Sequence, residues 1–316
     1  MPLPTHAPPE RGAPSYRRRP GLLARRALTC GAATVVAFTT TLSTAPAAMS
    51  ATPMYLGAVG EVQQLSRQTG QPLAIHAYAH FSQRVPAGRM ITVRAAESWH
   101  AVATAAPGSA VHGDIVRWAR TLKNRRGPVM LAYHHEPEAS GSARYGSAKD
   151  FIAAYRRVVS VFRAQGAHNV TFTWQMTDWA FGAASSDRRS AAKWYPGDHY
   201  VDTVGADVFN WSNCRTSRQK WAQLGALAEP LLRFARAHHK EASLPEWGSD
   251  AGPRREQWLR NAHDYLVANR DVLVAAFYFN RGPTRPEHAA CRWTLNRPGE
   301  QRAFGEMARD RTHFRP

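Results

Sequence analysis

Cysteine is scarce, with three residues in 316, which excludes a small fold held together mainly by disulfides. Long apolar runs are also missing. The longest stretch of small and apolar side chains, Ala27 to Leu42, covers 16 residues, short of the ~20 that a spanning helix needs. No H-E-x-x-H and no G-x-S-x-G occurs, so zinc-peptidase and serine-hydrolase chemistry lack their usual sequence frames. No Pro/Ser/Gly-rich linker, internal repeat or low-complexity run divides residues 48–316, and a single domain is expected there. Acidic residues number 23 against 41 Lys and Arg, a formal net charge of +18. The arginines are spread along helical stretches such as Arg117 to Arg126 and Arg254 to Arg260, so the charge reads as solvated helix faces. It gives no specific nucleic-acid motif.

The first 47 residues read as an export signal. A basic stretch, Arg11 to Arg26, precedes the apolar run, and Ala45-Pro-Ala47 forms an A-x-A cleavage pattern. Arg25-Arg26 resembles part of a twin-arginine signal, and the general and twin-arginine export routes both remain open. Loss of this segment removes six arginines and Glu10, lowering the charge from +18 to +13. Cys30 leaves with it, and the remaining Cys214 and Cys291 are expected to form one disulfide in a secreted, extracellular protein, cell-wall associated through its basic surface or free. No stable membrane anchor is expected, and the protein is expected to be a monomer.

What is present is an alternation of short β-type runs with longer amphipathic ones, the pattern of parallel strands joined by helices. Eight strands are expected: Met54 to Val59, Leu73 to Tyr78, Met90 to Arg94, Val129 to His134, Val170 to Trp174, Thr203 to Val208, Leu244 to Glu246 and Val272 to Phe279. Ile115, Trp118, Ala119 and Leu122 share one helical face, as do Phe151, Ala154, Tyr155, Val158 and Phe162, and then Trp258, Leu259, Ala262, Tyr265 and Leu266. In the 269 residues left after removing 47 of 316, this order predicts an α/β fold, a (β/α)8 TIM barrel.

Two carboxylate segments fall where strands give way to loops, Ala132-Tyr-His-His-Glu-Pro-Glu138 and Leu244-Pro-Glu-Trp-Gly248. Glu136 and Glu246 would then end strands four and seven on the carboxyl-terminal face, where barrel enzymes carry their chemistry. Two such carboxylates suit a retaining glycosidase, in which one protonates the leaving oxygen and the other attacks the anomeric carbon. Glu138 is a second candidate for the acid. His134, His135 and Glu136 could instead ligate a metal with His238-His239, but successive strand residues face opposite ways and no helical ligand spacing is present, so no metal site is expected. Trp179, Trp194, Trp211 and Trp247 lie in or near strand-end loops, where aromatic faces stack on sugars.

Tyr133-His-His-Glu136, Asn169-Val-Thr-Phe-Thr-Trp174, Trp194-Tyr-Pro-Gly197, Tyr200-Val-Asp-Thr-Val-Gly-Ala-Asp207 and Pro245-Glu-Trp-Gly248, in that order and spacing, make the chain resemble glycoside hydrolase family 26, within a clan of (β/α)8 retaining glycosidases. The resemblance implies a secreted enzyme cleaving a β-linked polysaccharide or oligosaccharide by double displacement without a cofactor, with endo-β-1,4-mannan first and β-glucan or β-1,3-xylan as other family substrates. It makes Glu136 the acid/base and Glu246 the nucleophile. His135 would contact the sugar, Asp207 would join the polar network, and Tyr278 would lie near the aromatic platform. Ala132 stands where many relatives carry arginine, and Phe209 where many carry a tyrosine bonded to the nucleophile. Those two departures motivate an alternative expectation, a barrel that binds extracellular carbohydrate with turnover impaired.

Overall fold

The computed structural model describes residues 52–212, 214, 220–282 and 290–316. The expected export signal lies outside these residues. Among the described residues there are nine strands: β1 (Met54–Gly60), β2 (Ala74–His80), β3 (Met90–Arg94), β4 (Val129–Tyr133), β5 (Val170–Thr177), β6 (Thr203–Asn210), β7 (Glu241–Ser249), β8 (Leu273–Asn280) and β9 (Phe314–Arg315). The first eight pair in parallel in sequence order, and β1 bonds both β2 and β8, closing the (β/α)8 barrel that the alternation predicts. The short β9 adds to β1 at its start, opposite Met54 and Tyr55.

The helices are α1 (Val62–Thr69), α2 (Trp99–Thr104), α3 (Ala110–Lys123), α4 (Ala148–Ala164), α5 (Asp178–Gly182), α6 (Leu224–Ala237), α7 (Arg255–Ala268) and α8 (Pro298–Arg309). The segment from β2 to β3, residues 81–89, carries no helix. Apolar stripes on α3 and α4 face the sheet with Ile115, Trp118, Leu122, Phe151, Tyr155 and Phe162 fully buried. Ser147 caps α4 reciprocally with Asp150, satisfying donors that the first helical turn leaves open. A large apolar layer lies between strands and helices, while Tyr55, Ala74, Met90, Met130, Ala132, Ala275 and Phe277 form a separate cluster within the barrel. Alternation along each strand divides the two cores.

Strand β7 is longer than Leu244 to Glu246 because pairing continues on both sides of Pro245. Proline lacks the N–H of a regular ladder, and the register shifts there against both neighbours, between Ser243 and Glu246 towards β6 and between Leu244 and Trp247 towards β8. Gly205 makes the irregularity possible, since a Cβ there would sit 2.9 Å from Pro245 Cγ. Bulges re-aim side chains, and this one immediately precedes Glu246.

Candidate active site

Glu136 and Glu246 line one cleft of about 580 Å³ at the carboxyl-terminal end of the barrel, together with His135, Tyr78, Arg94 and Trp293. Glu246 is buried within β7, whereas Glu136 is half-buried in the loop after β4. The chain reaches Glu136 through an irregular backbone: His134 and Glu136 have φ of 55° and 46°, in the left-handed region that non-glycine residues rarely occupy. Several contacts hold that conformation. The His134 amide donates to Val93 O and the Glu136 amide to Gln175 O, Ser142 Oγ donates to Glu136 O, and the Trp99 indole donates to His134 Nδ1 at 3.2 Å. Burial lowers the His134 pKa to about 3, so this ring is a neutral acceptor. Backbone strain maintained by surrounding bonds is characteristic of functional segments.

In the sequence, Phe209 reads as the loss of a hydroxyl bonded to the expected nucleophile. The structure supplies that bond from another strand: Tyr78 Oη, at the inner end of β2, donates to Glu246 Oε1. Burial, then the negative charge of Glu246, push the Tyr78 pKa well above the ordinary tyrosine value, so it remains a donor. Its ring also meets His135 edge-on at 5.1 Å. Phe209 instead packs against Trp211, Phe279 and Trp293 at ring separations of 5.4, 5.5 and 4.9 Å, building an aromatic wall. Ala132 is buried inside the barrel, and a guanidinium reaches the cleft from the adjacent β3 through Arg94. Tyr78→Phe is expected to remove a charge-assisted hydrogen bond of about 1.5–3 kcal/mol, a roughly tenfold to hundredfold fall in kcat. Steady-state kinetics would check this, with KM nearly unchanged.

A second cleft of about 730 Å³ adjoins Glu136 on the other side and is lined by Asp207, Trp179, Arg189, Glu138 and Lys220, with Phe209 and Trp211 shared between the two. Trp179 is 44% exposed, with the Arg189 guanidinium 3.9 Å from its ring centre. Asp207 is buried, pairs in register with Glu246, and has its two carboxyl oxygens 2.7 and 3.0 Å from one end of the Gln175 side-chain amide. Burial, then the charges of Glu246 and Glu136, hold its pKa well above the usual aspartate value.

Two expected sugar contacts lie elsewhere. Trp247 and Tyr278 are fully buried between strands and helices, where Trp247 stacks on Trp258 and meets Tyr278 edge-on, while Tyr278 Oη donates to Trp293 O at 2.9 Å. The reason is alternation: each follows an inward-facing residue, Glu246 or Phe277, and so points outward. Phe279 and Trp293 are the aromatics that line the cleft from this side. Trp194 is likewise a packing residue, against Trp99 and Phe151.

Glu138 accepts from the Thr177 amide and hydroxyl at 2.8 and 2.6 Å through one oxygen, and its other oxygen has no partner among the described residues. Burial raises its pKa to about 7, the Thr177 bonds opposing and Glu136 adding to the rise. The folded state therefore prefers the protonated acid: its contribution is complete below about pH 4.5 and is lost as pH rises through about 7. Glu138→Gln is expected to stabilise the protein at pH 8 by about 3 kcal/mol, with little effect at pH 5. Thermal melts at the two pH values would check it.

Cys214 and Cys291 form a disulfide with Cα atoms 4.8 Å apart, tying the loop after β6 to the segment after β8. Nearby, the buried Arg255 pairs with Glu300 at 2.6 Å and donates to the carbonyls of Ser249, Arg292, Trp293 and Thr294. Among the described residues no group of three or more His, Cys, Asp or Glu is placed to hold a metal ion, and His238 pairs with Asp198. No described helix is long and apolar enough to cross a membrane.

Residues 100–248 match the family described as glycosyl hydrolase family 26. Among curated proteins, the chain is similar to endoglucanase H of Acetivibrio thermocellus, 25% identical over 193 residues, which are 58% of this chain and 20% of that protein. It is also similar to a beta-1,3-xylanase of a Vibrio species, 25% identical over 176 residues, or 51% of this chain and 37% of that one. The chain thus spans little more than a third of either relative's length at most. In fold it is similar to the catalytic domain of a GH26 endo-beta-1,4-mannanase from Bacillus sp. JAMB-750, with TM-score 0.55, 14% identity, and 84% and 88% of the two chains covered. A GH26 beta-mannanase from Bacteroides ovatus gives TM-score 0.52 at 14% identity, covering 84% and 87%.

Proposed function

From the match of residues 100–248 to glycosyl hydrolase family 26, we propose that this chain is a secreted retaining glycosidase of that family that cleaves a β-linked polysaccharide internally, with β-1,4-mannan the first substrate to test. Glu246 attacks the anomeric carbon, and Glu136 gives its proton to the departing glycosidic oxygen. The glycosyl–Glu246 ester is then opened by a water whose proton returns to Glu136. The observation that carries the reading is the shared cleft of the two carboxylates, with Tyr78 donating to Glu246. That hydrogen bond holds the carboxylate in place for attack.

The half-buried position of Glu136 at the junction of two clefts suits a group that meets first a leaving sugar and then water. Phe209, Trp211 and Trp293 supply apolar ring faces for pyranose C–H surfaces, and His135 and Arg94 supply polar contacts. Asp207 and Trp179 serve the sugar on the far side of Glu136. The proposed domain is residues 48–316, exported by the preceding segment and monomeric. The disulfide is compatible with an oxidising compartment.

Product analysis on β-mannan, β-1,3/1,4-glucan and β-1,3-xylan, with the anomer followed by NMR, tests the proposal. Initial formation of the β-anomer from at least one of them is the expected result. An α-anomeric first product would contradict double displacement, and binding without cleavage across the panel would favour a carbohydrate-binding barrel.

A further inference from the structure

Next to the two carboxylates, a file of four buried polar side chains crosses the barrel from β2 to β6. His76 Nδ1 lies 2.8 Å from the carbonyl oxygen of Pro245, and its Nε2 lies 2.9 Å from Thr92 Oγ1. Thr92 Oγ1 is 2.9 Å from one end of the Gln175 amide, and the other end of that amide is 2.7 and 3.0 Å from the carboxyl oxygens of Asp207. Each of the four residues is 2% exposed, so the file's donors and acceptors have to be met within the protein, the Tyr78 hydroxyl beside Gln175 included.

Counting hydrogens leaves two complete arrangements that carry a single proton between the two ends of the file. The Pro245 carbonyl can only accept, which fixes a hydrogen on His76 Nδ1. If Gln175 turns its NH₂ to an ionised Asp207, its oxygen needs the single Thr92 hydrogen. His76 Nε2 must then carry a hydrogen too, making the ring an imidazolium. If Gln175 turns its oxygen to Asp207, that carboxyl must be protonated to donate. The amide NH₂ then donates to Thr92, Thr92 donates to Nε2, and His76 is neutral. Both arrangements are neutral overall and differ in which end holds one proton. With neither end protonated, two acceptors would face the single Thr92 hydrogen, an unmet demand that is costly in a buried site.

We propose that this file keeps one proton throughout the working pH range and holds it on Asp207, so that a neutral carboxylic acid, and not a carboxylate, stands beside the nucleophile. The groups facing Asp207 favour that end. Glu246 comes from β7, Glu136 and Glu138 from the loop after β4, and the Tyr78 hydroxyl from β2, while Lys220 lines the same cleft. Burial lowers the His76 pKa to about 4, while burial and the neighbouring glutamates raise that of Asp207. Asp207 is thereby a positioning residue for the reaction proposed above: by staying uncharged it leaves Glu246 and Glu136 as the two groups that share negative charge at the cleft. The inference rests on the glycosidase reading only for that consequence. The proton itself is a property of the folded chain.

The test uses the whole protein without substrate. Infrared difference spectra of wild type minus Asp207→Asn at neutral pH should contain the C=O stretch of a buried protonated carboxyl. In parallel, ¹⁵N-histidine NMR, with His76 assigned by its loss in His76→Gln, should show hydrogen on Nδ1 alone from about pH 5 to 8. An imidazolium His76 without the carboxyl band would overturn the proposal, as would a neutral His76 without the band or both groups protonated together. If Asp207→Asn fails to fold, the His76 spectrum of the wild type still decides, because an imidazolium there overturns the proposal and a neutral ring leaves the file's proton on Asp207. Neither readout needs turnover, so its failure is distinct from failure of the product analysis.

Discussion

Glu246→Gln is expected to lower kcat/KM by at least ~100-fold on any substrate the wild type cleaves. The amide is nearly isosteric and can still accept from Tyr78, so the fold and the cleft should persist, but it cannot form the glycosyl ester. Activated glycosides should not rescue it, because the missing step is attack at carbon and a better leaving group does not replace the attacker. Stopped-flow and steady-state assays, beside a melting curve matching wild type, would check this. Near-normal turnover would remove Glu246 from the nucleophile role.

Glu136→Gln has a different expected signature. Loss of general acid catalysis should cost ~10²–10⁴-fold on a polysaccharide, whose leaving oxygen needs a proton. An aryl glycoside with an acidic phenol needs none in the first step, so release of the phenol should be fast for one equivalent and then slow, as the ester waits for a base-activated water. A burst with wild-type amplitude followed by slow turnover is the expected trace. Equal losses on both substrates would argue against Glu136 as acid/base and would direct attention to Glu138, whose buried carboxyl lines the second cleft.

The strands were legible in the sequence where local preference and burial agree. Met90–Arg94 matches its expected bounds, and the first six strands begin within a residue of theirs. Strand β7 was foreshortened because Pro245 punctuates its run, and the bulge that accommodates proline depends on Gly205, a neighbour 40 positions earlier in the chain. The pairing of Cys214 with Cys291 followed from there being only two candidates after residue 47.

The site was legible in its carboxylates and less so in its supports. Tyr78 closes an expected strand at the catalytic end, which is a usable signal, but its bond to Glu246 joins residues 168 apart and no local pattern announces it. The aromatic contribution of β8 was misassigned by one residue. Phe277, Tyr278 and Phe279 are consecutive aromatics, so hydrophobic alternation gives no indication of which faces inward, and only the closed barrel decides. His76, Thr92 and Gln175 lie on three different strands and become a polar file only once those strands surround one axis.

The attachment of Trp293 has a thermal consequence. This cleft aromatic belongs to no strand; the carbonyls at 292–294 are gripped by Arg255 at the start of α7, which is itself paired with Glu300 of α8. One wall of the cleft is therefore fastened to the outer helical shell, while both glutamates are fastened to the barrel and its β4 loop. On warming, helices α7 and α8 can loosen before the strands separate, and affinity for substrate would then decline while Glu136 and Glu246 are still in register.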